Sequence, residues 1–511
     1  MLGRALGAVL VGIEARPVEV EVDLGGGLPT IAAVGLPDGA VREGIDRIRA
    51  ALPHAGFRLP QRRVIVNLAP ADLRKHGTGL DLPIAAALLS ADGQIPPIDG
   101  VTTALAGELG LDGALRPVRG ALAIALAVRE AGRRRLVLAE ENAAEAALVA
   151  GIDVVALRAL GELRVAGALA PAAPTLDLAQ LLASEGAAGD VPDLAEVRGQ
   201  ATARRALEIA AAGGHHLLLV GPPGAGKTML ARRLPSILPP LSPDEALEVT
   251  RIWSAAGLAS GLVRRRPFRA PHHGTSPAGL VGGGAPIRPG EVTLAHHGVL
   301  YLDELPEFRR DALEVLRQPI EDGQVHVTRV RQSATLPARF SWVAAMNPCP
   351  CGWHGQPGAR CRCSPLQVTS YLGRLSGPLL DRFDLTIDVP PVDLAALSRG
   401  KQGEASGVVR ARVVAARLRQ RARFGPGGPT CNAQMRPRDL DRFAALPDGP
   451  RTLLLEACRR LGVSARGHDR MRRVARTLAD LEDGGTIGEG HVAEAVQYRQ
   501  RFPAEAAGTA R

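Results

Sequence analysis

Hydrophobic positions along the chain follow two alternating rhythms. Residues 18–23 (VEVEVD) alternate apolar and acidic side chains, and residues 63–67 (RVIVN) form a β-branched run, so both read as strands. Residues 38–52 carry Val41, Ile45, Ile48 and Leu52 at helical spacing, and residues 81–90 (DLPIAAALLS) read as a second helix. Apolar runs at 136–139 and 153–156 add short strands, so the first block, residues 1–170, is mixed α/β. Residues 171–192 are rich in Ala, Pro and Gly and read as a linker with a short helical piece. From 193 to 392 nearly continuous apolar runs appear at 216–220 (HLLLV), 298–302 (GVLYL) and 340–345 (FSWVAA), as strands of a parallel sheet buried on both faces would show. Helices are expected at 201–212 and from 228 onward. Residues 393–501 read as helices at 408–424, 453–461 and 464–481, the last with Ser464 as N-cap and Met471, Val474, Leu478 and Leu481 on one face. Residues 502–511 read as a disordered tail.

The chemistry sits where the first apolar run of the central block meets its helix. Gly221, Pro222, Pro223, Gly224, Ala225, Gly226, Lys227 and Thr228 spell the phosphate-binding P-loop pattern. Glycines let backbone N–H groups close around phosphates, and the helix dipole adds partial positive charge. ATP is the implied ligand: Lys227 would reach its β- and γ-phosphates, and the Thr228 hydroxyl would bind Mg²⁺. The second run ends in Asp303 and Glu304, 76 residues after Lys227, so both strands can lie in one parallel sheet. Asp303 is expected to hold Mg²⁺ through water and Glu304 to polarise the attacking water. The third run ends at Asn347, whose neutral amide can orient that water without adding charge.

Charge and cysteine content extend this picture. The formal net charge is +10, which favours a polyanionic partner such as nucleic acid. No apolar run approaches the roughly 18 residues of a membrane span, and residues 1–17 offer no clean leader cleavage site, so a cytoplasmic protein without membrane partners is expected. Cys349, Cys351, Cys361 and Cys363 form two C-x-C pairs separated by nine residues. Four thiolates can close a tetrahedral Zn²⁺ site, with His354 as an alternative ligand, whereas disulfides are not expected. Cys431 and Cys458 stand alone and read as core residues. The adjacent pairs His272-His273 and His296-His297 point to opposite faces of an extended chain, so packing against the pocket entrance is expected rather than chelation.

Three segments carry a family resemblance: residues 34–52 (VGLPDGAVREGIDRIRAAL), 66–85 (VNLAPADLRKHGTGLDLPIA) and 107–120 (GELGLDGALRPVRG). They resemble the N-terminal domain of the ComM/YifB family of magnesium-chelatase-like AAA+ proteins. With the P-loop block the resemblance covers nearly the whole chain. It implies an α/β protein with a Lon-protease/S5-like α+β domain (1–170), a linker (171–192), an AAA+ P-loop parallel-sheet domain carrying the cysteine cluster (193–392) and a C-terminal helical lid (393–501). Asn347 matches the sensor 1 position, and Arg382, in GPLLDRFD (377–384), matches the arginine finger; a surface salt-bridge region spanning Arg374 to Arg382 is the plainer alternative. Arg466 matches sensor 2, with Arg470 and Arg473 as rivals. Residues 264–297 resemble a helix-2 insert and, being Gly/Pro-rich, read as a long loop that cannot pack as a core. Residues 323–337 resemble a pore-lining hairpin whose Arg329 and Arg331 would contact DNA phosphates. The family implies a hexameric ring that drives branch migration on single-stranded or branched DNA in natural transformation. The alternatives are a magnesium chelatase motor subunit, against which the N-terminal block and cysteine cluster argue, and a protein remodeller without DNA activity. Lon-type proteolysis is not expected, because Gly79 and Leu122 occupy the positions of the Ser nucleophile and Lys base, and Thr78 and Lys75 nearby form no recognisable dyad.

Overall fold

The computed structural model describes residues 2–165, 176–183, 191–329, 332–356, 361–391, 403–482 and 484–499. Arg331, the side chain of Arg329, most of the 171–192 linker and the 502–511 tail lie outside the described residues.

The chain opens with a strand that carries no alternation to announce it. In β1 (Leu2–Val11), Ala5 and Val9 face one core while Leu6 and Ala8 face another, so both sides are apolar. β1 pairs antiparallel with β2 (Glu14–Gly25), where Val18, Val20 and Val22 turn inward and Glu19 and Asp23 outward. β3 (Thr30–Val34) and β4 (Arg63–Ala69) complete a sheet of order β1-β2-β4-β3, β3 lying parallel to β4. Helix α1 (Gly39–His54) starts at Asp38, whose Oδ1 accepts the Val41 N–H at 3.0 Å, and buries the predicted Val41, Ile45, Ile48 and Leu52. Helix α2 (Asp81–Ala91) is almost wholly buried. β5 (Thr103–Leu105), β6 (Arg135–Ala139) and β7 (Asp153–Leu157) form a small parallel sheet with α3 (Ala121–Glu130) and α4 (Glu140–Ala146) around it.

The central block is a five-stranded parallel sheet preceded by α5 (Ala201–Gly213). Its strands are β8 (Leu217–Val220), β9 (Phe268–Arg269), β10 (Val299–Leu302), β13 (Ser341–Met346) and β14 (Leu385–Asp388), in the order β9-β10-β13-β8-β14. The P-loop strand β8 therefore sits between β13 and β14, in register Val220↔Met346 and Val220↔Asp388. The acidic strand β10 lies on the far side of β13, with Leu302 opposite Ala344. Helices α6 (Lys227–Ile237) and α7 (Pro243–Ala256) follow the P-loop. The 323–337 segment forms the predicted hairpin, β11 (Gln324–Arg329) with β12 (Gln332–Pro337). The 264–297 insert departs from expectation. It contributes β9 to the main sheet and buries Leu280, Ile287, Val292 and Leu294 in its core, because its glycines and prolines space these apolar residues into short helices and turns.

Among the described residues five α-helices follow residue 403: α9 (Ser406–Phe424), α10 (Pro437–Phe443), α11 (Asp448–Leu461), α12 (Ala465–Leu481) and α13 (Glu489–Gln497), α8 (Pro365–Leu372) having followed the cysteine segment. Ser464 caps α12 through a bond from the Gly467 N–H at 3.3 Å. A buried network fastens these helices to the sheet. His215 joins Asp384 at 3.2 Å and Thr477 at 2.8 Å, and Asn432 donates to Thr477 at 3.0 Å and Asp480 at 2.8 Å. The first block docks on α7: the Gly120 N–H donates to Ser254 Oγ at 3.0 Å, and Ser254 also meets the buried Glu145 carboxylate. Among the described residues no helix is long and apolar enough to cross a membrane.

Candidate nucleotide-binding site

Parallel strands send their C-terminal ends to one edge, and ligands of such sheets bind there. With β13 between β8 and β10, that edge gathers Gly221, Asn347 and Asp303, three residues distant in sequence. The loop at 221–226 is shaped by backbone freedom. Gly224 and Gly226 adopt φ of +76° and +87°, and a Cβ on Gly221 would lie 2.2 Å from the Val389 carbonyl oxygen. The Lys227 ammonium donates to the Gly221 and Pro222 carbonyls at 2.7 and 2.9 Å and to Asn347 Oδ1 at 3.0 Å. Burial holds its pKa below the usual lysine value, against the opposing pull of Asp303 and Glu304. A cation desolvated in this way gains from an arriving phosphate.

Beside it, Thr228 Oγ1 donates to Asp303 Oδ2 at 2.7 Å and accepts from the Tyr301 hydroxyl at 3.1 Å. A hydroxyl and a carboxylate oxygen are the hard donors that suit Mg²⁺, so the residues present fit that ion. Asp303 Oδ1 accepts the Glu304 N–H at 2.9 Å. Glu304 itself has φ +50°, a left-handed conformation costly for a side chain with a Cβ, and so its carboxylate is aimed by a strained backbone. That carboxylate is half exposed, 3.6 Å from His273 Nδ1.

A sequence profile described as "Magnesium chelatase, subunit ChlI" matches residues 193–397, "Subunit ChlI of Mg-chelatase" matches 20–142 and "Magnesium chelatase, subunit ChlI C-terminal" matches 403–499. The uncharacterized protein YifB of Salmonella typhimurium is 45% identical over 496 residues, covering 96% of this chain and 95% of that protein. The competence protein ComM of Haemophilus influenzae is 43% identical over 496 residues, covering 96% of each. This chain belongs to the ComM/YifB family of magnesium-chelatase-like AAA+ proteins. The uncharacterized protein Rv2897c of Mycobacterium tuberculosis is similar too, 46% identical over 98% of this chain and 99% of its own length.

Within this ComM/YifB chain the two remaining candidate residues lie far from Lys227. A cavity of about 1020 Å³ opens at the opposite, N-terminal edge of the sheet, lined by His216, Gly298, Ser341 and Asp384. Arg382 and Arg466 line it, and each of the four-residue strands separating them from the P-loop edge spans about 13 Å. Arg382 is 4% exposed, pairs with Glu321 and donates to the Pro378 carbonyl at 2.9 Å. Burial lowers its pKa, with Glu321 opposing and Arg317 and Arg466 adding to the shift. Arg374 has its own partner, Glu307 at 3.0 Å. Arg466 is exposed and, among the described residues, has no hydrogen-bond or ion-pair partner. Its rivals are occupied: Arg470 reaches Asp384 at 3.7 Å and the Phe383 carbonyl at 3.3 Å, and Arg473 donates to the Met435 carbonyl at 3.0 Å.

Other predicted positions divide similarly. His296 and His297 both reach Glu248 Oε2, at 2.9 and 2.8 Å. Neither adjacent pair points to opposite faces as expected: the His296 and His297 ring centroids lie 4.0 Å apart, with His297 at φ +55°, and those of His272 and His273 lie 4.0 Å apart without a positive φ. The four cysteines Cys349, Cys351, Cys361 and Cys363 come together with every Sγ within 4.8 Å of the others. Leu122 is buried, and the Lys75 ammonium is buried against the Pro70 carbonyl. Sequence reasoning missed Tyr301 and Tyr371, whereas His273, expected at the pocket entrance, lies there beside Glu304. The Tyr371 hydroxyl lies beside the Asn347 backbone and is pushed up to about 12 by burial. Only Tyr301 had a local signal, a lone hydroxyl in the apolar run that ends at Asp303.

Proposed function

We propose that this chain is one subunit of a hexameric, ATP-hydrolysing ring that moves branched or single-stranded DNA in the cytoplasm, driving branch migration when incoming DNA is recombined. The observation that carries the reading is the split of the site. Lys227, Thr228, Asp303 and Asn347 share one edge of the sheet, while Arg382 and Arg466 share the other. In a head-to-tail ring the second edge of one subunit faces the first edge of the next, so each pocket is completed by its neighbour.

Within that interface the roles follow from position. Lys227 would exchange its two carbonyl partners for phosphate oxygens, with Asn347 steering it and orienting the attacking water. Glu304 would accept that water's proton. Thr228 and Asp303 would hold Mg²⁺, which when bound supplies charge neutralisation on the phosphoryl oxygens. Arg382 and Arg466 of the adjoining subunit would offset the charge that develops on the transferred group. The β11–β12 hairpin, with Arg329 and Arg331, would face DNA in the pore. Support for a DNA substrate comes from the net charge of +10 and from the competence protein ComM among the relatives.

A second reading, the motor subunit of a magnesium chelatase, is supported by the descriptions of all three matching profiles. The ATPase rate discriminates the two. Stimulation by branched DNA and indifference to a tetrapyrrole is the expected result; the reverse would replace the DNA motor with the chelatase.

A further inference from the structure

The cysteine segment is the strongest cluster outside the nucleotide pocket. Cys349 and Cys351 follow β13, and Cys361 and Cys363 precede α8. Cys349 Sγ lies 3.4 Å from Cys351 Sγ and 3.8 Å from Cys361 Sγ, and Cys351 Sγ lies 3.6 Å from Cys361 Sγ. These separations exclude a disulfide, whose sulfurs approach to about 2.05 Å. They fit the edges of a tetrahedron, since bonds of about 2.3 Å from one zinc ion put its sulfurs about 3.8 Å apart. With every Sγ within 4.8 Å of the others, a single ion fits and a sulfide-bridged cluster has no room. Cys349 is buried and the other three are half-buried, so four neutral thiols would fill this space without a structural return.

What the cluster touches gives it a consequence. Gly352, between the cysteine pairs, adopts φ +85°, and a Cβ there would lie 2.4 Å from Pro223 Cδ, so this backbone rests directly on the P-loop. Cys349 lies two residues beyond Asn347, and α8, which begins just after Cys363, carries Tyr371 back beside the Asn347 backbone. The residues that meet the P-loop are thus fixed at both ends by the same four sulfurs.

We propose that Cys349, Cys351, Cys361 and Cys363 bind one zinc ion, and that this ion braces the P-loop and Asn347 for nucleotide binding. The ion closes the segment that carries Gly352 and anchors the start of α8, so its removal frees the support beneath Pro223 and Asn347. The bracing rests on the nucleotide-site reading; the zinc site does not.

Cobalt tests the site in the full chain. Co²⁺ titrated into reduced, metal-stripped protein is expected to bind at one equivalent per chain, with thiolate-to-cobalt charge-transfer and tetrahedral d–d bands. The double variant Cys361→Ser/Cys363→Ser is expected to lose them. Absence of thiolate bands in the wild type, or their persistence in the double variant, overturns the site; binding without thiolate bands would move the ion to the Glu248, His296 and His297 group. For the bracing, ATP affinity of the stripped wild-type chain is measured before and after one equivalent of Zn²⁺. Tightening of about five-fold or more is expected, and equal affinities overturn it. Because the cobalt spectrum needs no nucleotide, failure of the ATP reading would leave it unchanged.

Discussion

Replacing Tyr301 by Phe isolates a single hydroxyl in the nucleotide pocket. The ring is buried and stacks on Phe268, with centroids 5.9 Å apart and an interplanar angle of 23°, so Phe keeps the packing. Burial raises the Tyr301 pKa, which keeps the phenol protonated as a donor at working pH. Its bond to Thr228 Oγ1, at 3.1 Å, leaves Thr228 free to give its own proton to Asp303 at 2.7 Å and a lone pair to the metal. Loss of the hydroxyl strands no buried donor, because Thr228 keeps Asp303. The cost is then that of one ordinary hydrogen bond, about 0.5–1.5 kcal/mol, or about two- to twelve-fold in Mg²⁺-dependent turnover. Thr228→Val removes the metal ligand and both bonds and should cost far more. The assay is steady-state ATP hydrolysis over a Mg²⁺ titration for wild type, Tyr301→Phe and Thr228→Val, with unfolding followed alongside. Turnover and Mg²⁺ dependence of Tyr301→Phe equal to wild type would refute the proposed role of this hydroxyl. So would a loss as large as that of Thr228→Val with unchanged stability.

The remaining predictions concern the opposite edge and the core. Arg382→Ala should lower turnover by about 1000-fold or more without abolishing ATP binding. Mixing Arg382→Ala with Lys227→Ala subunits should recover part of the activity, since some interfaces then pair an intact P-loop with an intact arginine; no recovery on mixing would argue against action across the interface. Asp480→Asn removes the buried carboxylate that Arg423 contacts and that Arg476 Nε reaches at 3.1 Å, and should destabilise the C-terminal helices by about 3–5 kcal/mol in denaturant unfolding. His216 and His296 are held at about 4, chiefly by burial, below the ordinary value of 6.5. Each accepts a backbone N–H at Nδ1, from Trp342 at 3.1 Å and from Arg339 at 3.0 Å, so the neutral ring is the folded form. The unfolded chain takes up these protons first. Stability should therefore be fully present above pH 6.5 and decline as pH falls from 6.5 toward 4, by at most about 3 kcal/mol per histidine; equilibrium unfolding across that range measures it.

What was legible in the sequence was local or periodic. The P-loop, Asp303-Glu304 and Asn347 each end an apolar run, and a parallel sheet brings such ends together whatever separates them along the chain. Helix α1 was marked by apolar residues at helical spacing, and α12 by such spacing after Ser464. Features that depend on tertiary contact were not legible. β1 has apolar residues on both faces, so it lacks the alternation that revealed β2. Leu280, Ile287, Val292 and Leu294 gain their core role only through the turns of the insert around them. Nothing in residues 377–384 says that Arg382 is covered and paired with Glu321, which comes from a helix more than fifty residues earlier. The convergence of His296 and His297 on Glu248 joins residues 48 and 49 positions apart, which no local side-chain pattern encodes.

The central claim is that hydrolysis in this pocket moves DNA. Its most direct test is a labelled four-way DNA junction incubated with ATP and either the wild-type protein or Glu304→Gln. The account predicts separated duplex products with the wild type and none with Glu304→Gln, which keeps the P-loop but loses the base. An intact junction in the presence of wild-type protein that hydrolyses ATP at a rate indifferent to DNA would contradict it.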